Sequence, residues 1–74
     1  MIGSPKYDFG DIVKFKIDEK ELSGAIGIVD KYGTFFDDSD VSYDIMVYEQ
    51  IKIFYKHIPE EFIIEKIGHT ENVF

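Results

Sequence analysis

The chain contains no cysteine, no arginine, no tryptophan and no long apolar run. Without cysteine, neither a disulfide nor a thiolate-held metal can staple the fold. The eight basic side chains are all lysines and face fifteen carboxylates, for a net charge of −7. Nucleic-acid binding draws most of its affinity from basic groups that neutralise phosphates, and arginine is the preferred bidentate reader of guanine. The composition therefore argues against a nucleic-acid partner. No stretch approaches the roughly 20 apolar residues of a bilayer-spanning helix, so no membrane association is expected. Residues 1–6 lack the apolar segment of a secretory signal, and a cytoplasmic location is expected.

What is present fits one small domain. A chain of 74 residues buries only roughly 60% of the surface that its unfolded form exposes. A core of that size supplies about 3–5 kcal/mol of net stability. Seven Phe and five Tyr must fill much of it, each ring burying on the order of 150–250 Å².

Residues 1–8 read as an irregular lead-in, and Gly10-Asp11 is a turn signal. In the run that follows, Val13, Phe15 and Ile17 alternate with Lys14 and Lys16, the period of a half-buried strand. Asp18 to Glu21 reads as a charged loop. The segment Leu22–Tyr32 is a second strand carrying Gly24 and Gly27, and glycine inside a strand marks a bulge or a close backbone approach. Gly33 to Asp40 is a loop, aromatic at one end and acidic at the other. Tyr43, Ile45 and Val47 alternate through a third strand. Glu49-Gln50 then leads to a fourth strand over Ile51–Lys56, although Glu-Gln is not the favoured chemistry for a tight turn. Pro59 suits the start of a short helical turn, and Phe62–Ile67 closes the set.

Five short strands at this spacing point to a sandwich or a barrel. Closure removes edge strands, so the expected fold is all-β, a small five-stranded barrel with one short 3-10 turn. The barrel would cover residues 9–67 and a flexible tail residues 68–74. The rival is an α+β domain with a helix over residues 49–67, which Pro59 and the β-branched Ile63-Ile64 disfavour.

These segments resemble the Src-homology-3-like (SH3-like) barrels. Gly10-Asp11-Ile12-Val13-Lys14-Phe15 followed by Gly24-Ala25-Ile26-Gly27-Ile28-Val29 is similar to the first hairpin of many bacterial small barrels. With Tyr43-Asp44-Ile45-x-Val47 and Ile53-Phe54-Tyr55, it resembles the short phage and prophage proteins of the YorP type, whose likeness implies a fold but no function. Tyr7-Asp8-Phe9 and Ile58-Pro59-Glu60-Glu61-Phe62-Ile63 resemble two motifs of the eukaryotic peptide-binding domains. That likeness implies that Tyr7, Pro59 and Phe62 line a proline-peptide groove and that Asp18, Glu19 and Glu21 meet a basic ligand residue. The family's groove is built around a tryptophan, which this chain lacks.

Catalytic and metal-binding constellations are not apparent. Glu60-Glu61 and Asp37-Asp38 are adjacent acids with nothing set against them across a cleft. His57 and His69, without cysteine, do not make up the ligand set of zinc. None of the serines lies in a nucleophile-elbow motif. Counted from Asp37, a calcium-binding EF-hand loop would need glycine sixth and glutamate twelfth, where Ser42 and Tyr48 stand. No enzyme activity, metal or cofactor is expected.

The surplus aromatics suggest a partner instead. Tyr32, Phe35 and Phe36 lie beside Asp37, Asp38 and Asp40, and they either fold over the barrel as a lid or meet another protein. Loops held by a scaffold carry binding residues, rings make good anchors, and the aspartates suit a basic partner. The expected function is a non-catalytic adaptor for a protein or peptide, with Tyr7 and Pro59 as further contacts. An accessory subunit of a larger enzyme and an acidic DNA mimic are the alternatives.

Overall fold

The computed structural model describes residues 5–30, 41–49 and 51–74. Five strands follow in order: β1 (Asp11–Ile17), β2 (Lys20–Asp30), β3 (Ser42–Tyr48), β4 (Lys52–Pro59) and β5 (Ile63–His69). A single 3-10 turn, η1 (Glu60–Phe62), joins the last two. All pairings are antiparallel, and the strands form one sheet in the order β4-β3-β2-β1-β5.

The sheet does not close into a barrel, and the expectation of full closure is corrected here. Among the described residues β4 and β5 are the two edges and do not pair. The connection between them nevertheless forces strong curvature. Laid flat, five strands would set the edges roughly 19 Å apart, whereas a turn as short as η1 advances only about 2 Å per residue. The curl begins in β2, whose first half pairs with β1 and whose second half pairs with β3. Its register shifts between Ile26 and Ile28, so Gly27 is the extra residue of a bulge. Gly24 is the point of close approach: a Cβ there would lie 2.4 Å from the carbonyl oxygen of Met46.

Bulges also blunt both edges. In β5 the register slips twice, leaving Ile64 and Ile67 as extra residues, 48% and 51% exposed. In β4 the slip falls opposite Asp44, whose buried carboxylate accepts the His57 N–H at 2.9 Å, and His57 adopts φ +59°. Such irregularities discourage strand-to-strand association.

The core lies on the concave face. Val13, Phe15, Leu22, Ile26, Val41, Tyr43, Ile45, Val47, Ile58 and Ile63 form one buried cluster, with Tyr7, Ile17, Val29 and Tyr55 packed against it. Phe15 meets Tyr55 edge-on, with centroids 5.9 Å apart. Phe62, expected to open the closing strand, is 41% exposed, and Ile63 takes the buried position because η1 ends at Phe62.

Several boundaries differ from the sequence reading, among them the end of β4, which runs on to Pro59 instead of stopping at Lys56. Asp18 and Glu19, both at positive φ, make a two-residue hairpin turn, so β2 starts at Lys20. Tyr48 pairs with Lys52, so residues 49–51 rather than two residues join β3 to β4. β5 runs on to His69, past the expected end of the strand at Ile67, and Val73 is only 1% exposed. Tail burial has a local cause: the Thr70 N–H donates to the Gly10 carbonyl at 2.7 Å and carries the chain back over the sheet.

Candidate functional site

The site builds up around η1. Pro59 ends β4 in extended backbone (φ −60°, ψ 144°) and sets the turn's entry. The Glu60 N–H then donates to the Val41 carbonyl at 3.1 Å. This fixes Glu60 so that its carboxylate faces the lead-in. Its Oε2 accepts the Lys6 N–H at 3.0 Å and the Tyr43 hydroxyl at 2.5 Å. The Tyr43 oxygen in turn accepts the Tyr7 N–H at 3.3 Å, and the Tyr7 ring stands edge-on to the Tyr43 ring at 5.8 Å.

Tyr43 is fully buried. Burial, reinforced by the hydrogen bond to the Glu60 carboxylate, pushes its phenol pKa well above the ordinary tyrosine value. It therefore acts as a neutral donor at any physiological pH. A short O–H to carboxylate bond is among the stronger hydrogen bonds available to side chains.

Beside this network lies an open cavity of about 250 Å³ lined by Lys6, Val41, Pro59, Glu60 and Glu61. Its lining includes two acidic residues and one lysine. A cationic or amide-bearing group could hydrogen-bond to the acids while an apolar segment rests on Pro59 and Val41.

A second polar cluster holds the other end of the lead-in. Asp11 is buried, and its Oδ2 accepts the Asp8 N–H at 2.9 Å. Its Oδ1 lies 2.8 Å from His69 Nδ1 and 3.3 Å from Lys66 Nζ. Burial by itself would raise the Asp11 pKa, but the hydrogen bonds from Asp8, His69 and Lys66 outweigh it and hold the carboxyl below its usual range. The Asp11 carboxylate is thus engaged by partners from the lead-in and from β5.

Of the residues singled out from sequence, Tyr7 and Pro59 come together at η1, with Tyr7 joined to the cavity through Tyr43 rather than lining it. Phe62 does not line it. Asp18 and Glu19 form the β1–β2 hairpin tip, and Glu21 lies 3.9 Å from Lys14, so the three acids assigned to a basic ligand residue are not part of this cavity. Tyr32, Phe35, Phe36, Asp37, Asp38 and Asp40 lie outside the described residues. The residues that sequence reasoning missed are Tyr43, Glu60 and Lys6. Tyr43 reads as an ordinary core position, and only its hydroxyl distinguishes it from Phe. Among the described residues, no three His, Asp or Glu side chains gather as metal ligands would, and no helix is long and apolar enough to cross a membrane.

Comparison of the chain with protein-family models, with curated proteins and with solved structures gives no match.

Proposed function

We propose that the chain is a non-catalytic binding module of SH3-like architecture that takes a protein or peptide partner at the η1 face. The observation that carries this reading is the joining of Tyr7, Tyr43 and Glu60 beside an open, acid-lined cavity. The strand order β5-β1-β2-β3-β4, with a 3-10 turn between the fourth and fifth strands, supports the SH3-like assignment as a strongly curled sheet.

Glu60 and Glu61 in the lining favour a basic segment, by steering and selectivity more than by raw affinity. The segment 31–40 is joined directly to Val41, which lines the cavity. Tyr32, Phe35, Phe36, Asp37, Asp38 and Asp40 are therefore proposed as the flanking part of the same surface. A nucleic-acid partner is disfavoured further because Lys14 sits 3.9 Å from both Glu21 and Glu65.

The test is an NMR titration of labelled protein with lysine- and proline-containing peptides, read alongside thermal melts of Phe35→Ala and Phe36→Ala. Saturable shifts at Tyr7, Val41, Glu60 and Glu61, weakened tenfold or more by Glu61→Lys, are expected. Phe35→Ala and Phe36→Ala should weaken binding while leaving the melting temperature nearly unchanged. A loss of about 3–5 kcal/mol in either variant with binding intact would make those rings a lid and remove them from the site.

A further inference from the structure

The sheet's outer face offers a second site, independent of the one at η1. Register places Gly68, Ile12, Ala25, Met46 and Phe54 in one row across all five strands, since Gly68 pairs with Ile12, Ile12 with Ala25, Ala25 with Met46 and Met46 with Phe54. This row alternates with Val13, Ile26, Ile45 and Tyr55, which face the core. Ala25 is nevertheless 2% exposed, although it lies outside the core cluster. Something must cover it.

Residues 70–74 provide the cover. Thr70 is hydrogen-bonded to Gly10 at one side of the sheet. The Phe74 ring then meets Phe54 of β4 edge-on at 5.6 Å and Phe9, the neighbour of Gly10, at 6.4 Å. Between these anchors Val73 is 1% exposed, yet it too lies outside the core cluster. Gly27 gives the Phe74 ring room on β2: a Cβ there would lie 2.8 Å from Phe74 Cζ and 3.1 Å from the Phe54 ring, so the rings would have to shift. The bulge at Gly27 therefore serves as a seat as well as a bend.

The face extends beyond what the tail fills. Phe9 and Ile28 stay 47% and 48% exposed. A cavity of about 180 Å³ lined by Ile12, Ser23, Gly24, Ala25, Tyr48 and Thr70 remains open beside the strap.

We infer that the outer face is a peptide-binding groove, that residues 70–74 occupy it in cis, and that its exchangeable ligand is a partner's short extended segment bearing an aliphatic residue followed by an aromatic one. The tail supplies the pattern, with Val73 as the buried anchor and Phe74 as the ring laid on Phe54. A ligand held in cis acts at an effective concentration of the order of millimolar, so the intact chain binds such a segment weakly and a chain with its tail displaced binds it well.

The experiment uses the full chain and a synthetic peptide Thr-Glu-Asn-Val-Phe, capped at both ends. Val73→Asp combined with Phe74→Ala expels the tail, and labelled protein is titrated by NMR. Saturable shifts are expected at Ala25, Gly27, Met46 and Phe54 and not at Tyr7 or Glu60. Affinity should be at least tenfold tighter than for the unsubstituted chain, and a peptide with the same residues in scrambled order should not bind. A folded double variant with unchanged Phe15 and Ile45 signals but no outer-face shifts, or with no gain in affinity, overturns the proposal. If the double variant does not fold, Phe74→Ala alone decides, because that ring is 69% exposed. Outer-face shifts with tightened binding then support the groove, and their absence makes residues 70–74 a fixed part of the fold. Binding at η1 without outer-face shifts likewise overturns this proposal, and it leaves the proposed function standing.

Discussion

Two polar clusters clasp consecutive residues of the lead-in, and they do so by opposite chemistry. At η1 the Tyr43 oxygen takes the Tyr7 N–H; at the start of β1 the Asp11 carboxylate takes the Asp8 N–H. Tyr43 is kept neutral because burial and the Glu60 carboxylate both oppose its ionisation. Asp11 is kept charged because the donors around it outweigh its burial. Tyr43 is also a core ring, whereas Asp11 lies outside the core cluster. One clasp is thus part of the packing that makes the fold, and the other is bolted onto it. The difference bears on function, since the Tyr43 clasp shares Glu60 with an open cavity.

Tyr43→Ala should separate the two most sharply. It removes a fully buried ring and its hydroxyl together, at a cost of about 3–5 kcal/mol. That is comparable to the whole net stability expected of a domain this size. The measurement is denaturant unfolding by circular dichroism, and a loss under about 2 kcal/mol would mean that the site collapses around the missing ring. Asp11→Ala should cost less, about 2 kcal/mol, chiefly from the orphaned Asp8 N–H. Lys66 and His69, each about half exposed, return to water at little cost. Tyr43→Phe keeps the ring and loses only the hydroxyl, for about 1–2 kcal/mol. A Tyr43→Phe cost equal to that of Tyr43→Ala would mean that the hydrogen bonds, not the packing, hold this corner.

The clasps also mark where sequence reasoning stops. Strand faces were legible because Val13 and Phe15 alternate with lysines, and Tyr43, Ile45 and Val47 with polar or outer-face residues. Pro59 announced η1 because its fixed φ suits a turn's start. Asp18 to Glu21 reads as a charged loop, and nothing in it announces a two-residue turn, since such turns favour Asn-Gly. Phe62 reads as a strand residue, yet the 3-10 geometry hands the buried place to Ile63. The hydrogen bonds of Tyr43 with Glu60 and of Asp11 with His69 span 17 and 58 residues. No local pattern announces contacts of that range; they exist only once the sheet has curled. The tail was missed for the same reason, since Val73 acquires its burial from a face assembled by five strands.

The smallest expected effect is the most specific to the comparison, because the two clasps should fail at opposite ends of the pH scale. Stability rises with pH wherever the unfolded chain binds more protons than the folded one, and falls with pH where it binds fewer. An unfolded aspartate protonates near pH about 3.9, whereas folded Asp11 holds out to lower pH. As pH falls through that window the unfolded state takes the proton first, so the contribution of Asp11 is complete above about pH 4 and is lost below it. An unfolded tyrosine ionises near pH about 10, whereas folded Tyr43 keeps its proton well above that. As pH rises beyond about 10 the unfolded state releases its proton first, so the contribution of Tyr43 is complete below that pH and declines above it. Thermal melts from pH 2 to 11 should therefore show both an acid and an alkaline decline. Asp11→Asn should flatten the acid arm by a few degrees and leave the alkaline arm alone, and Tyr43→Phe should do the reverse. If both substitutions flatten the same arm, the two clasps are coupled through residues 7 and 8, and the lead-in is one cooperative unit instead of a strand pinned twice.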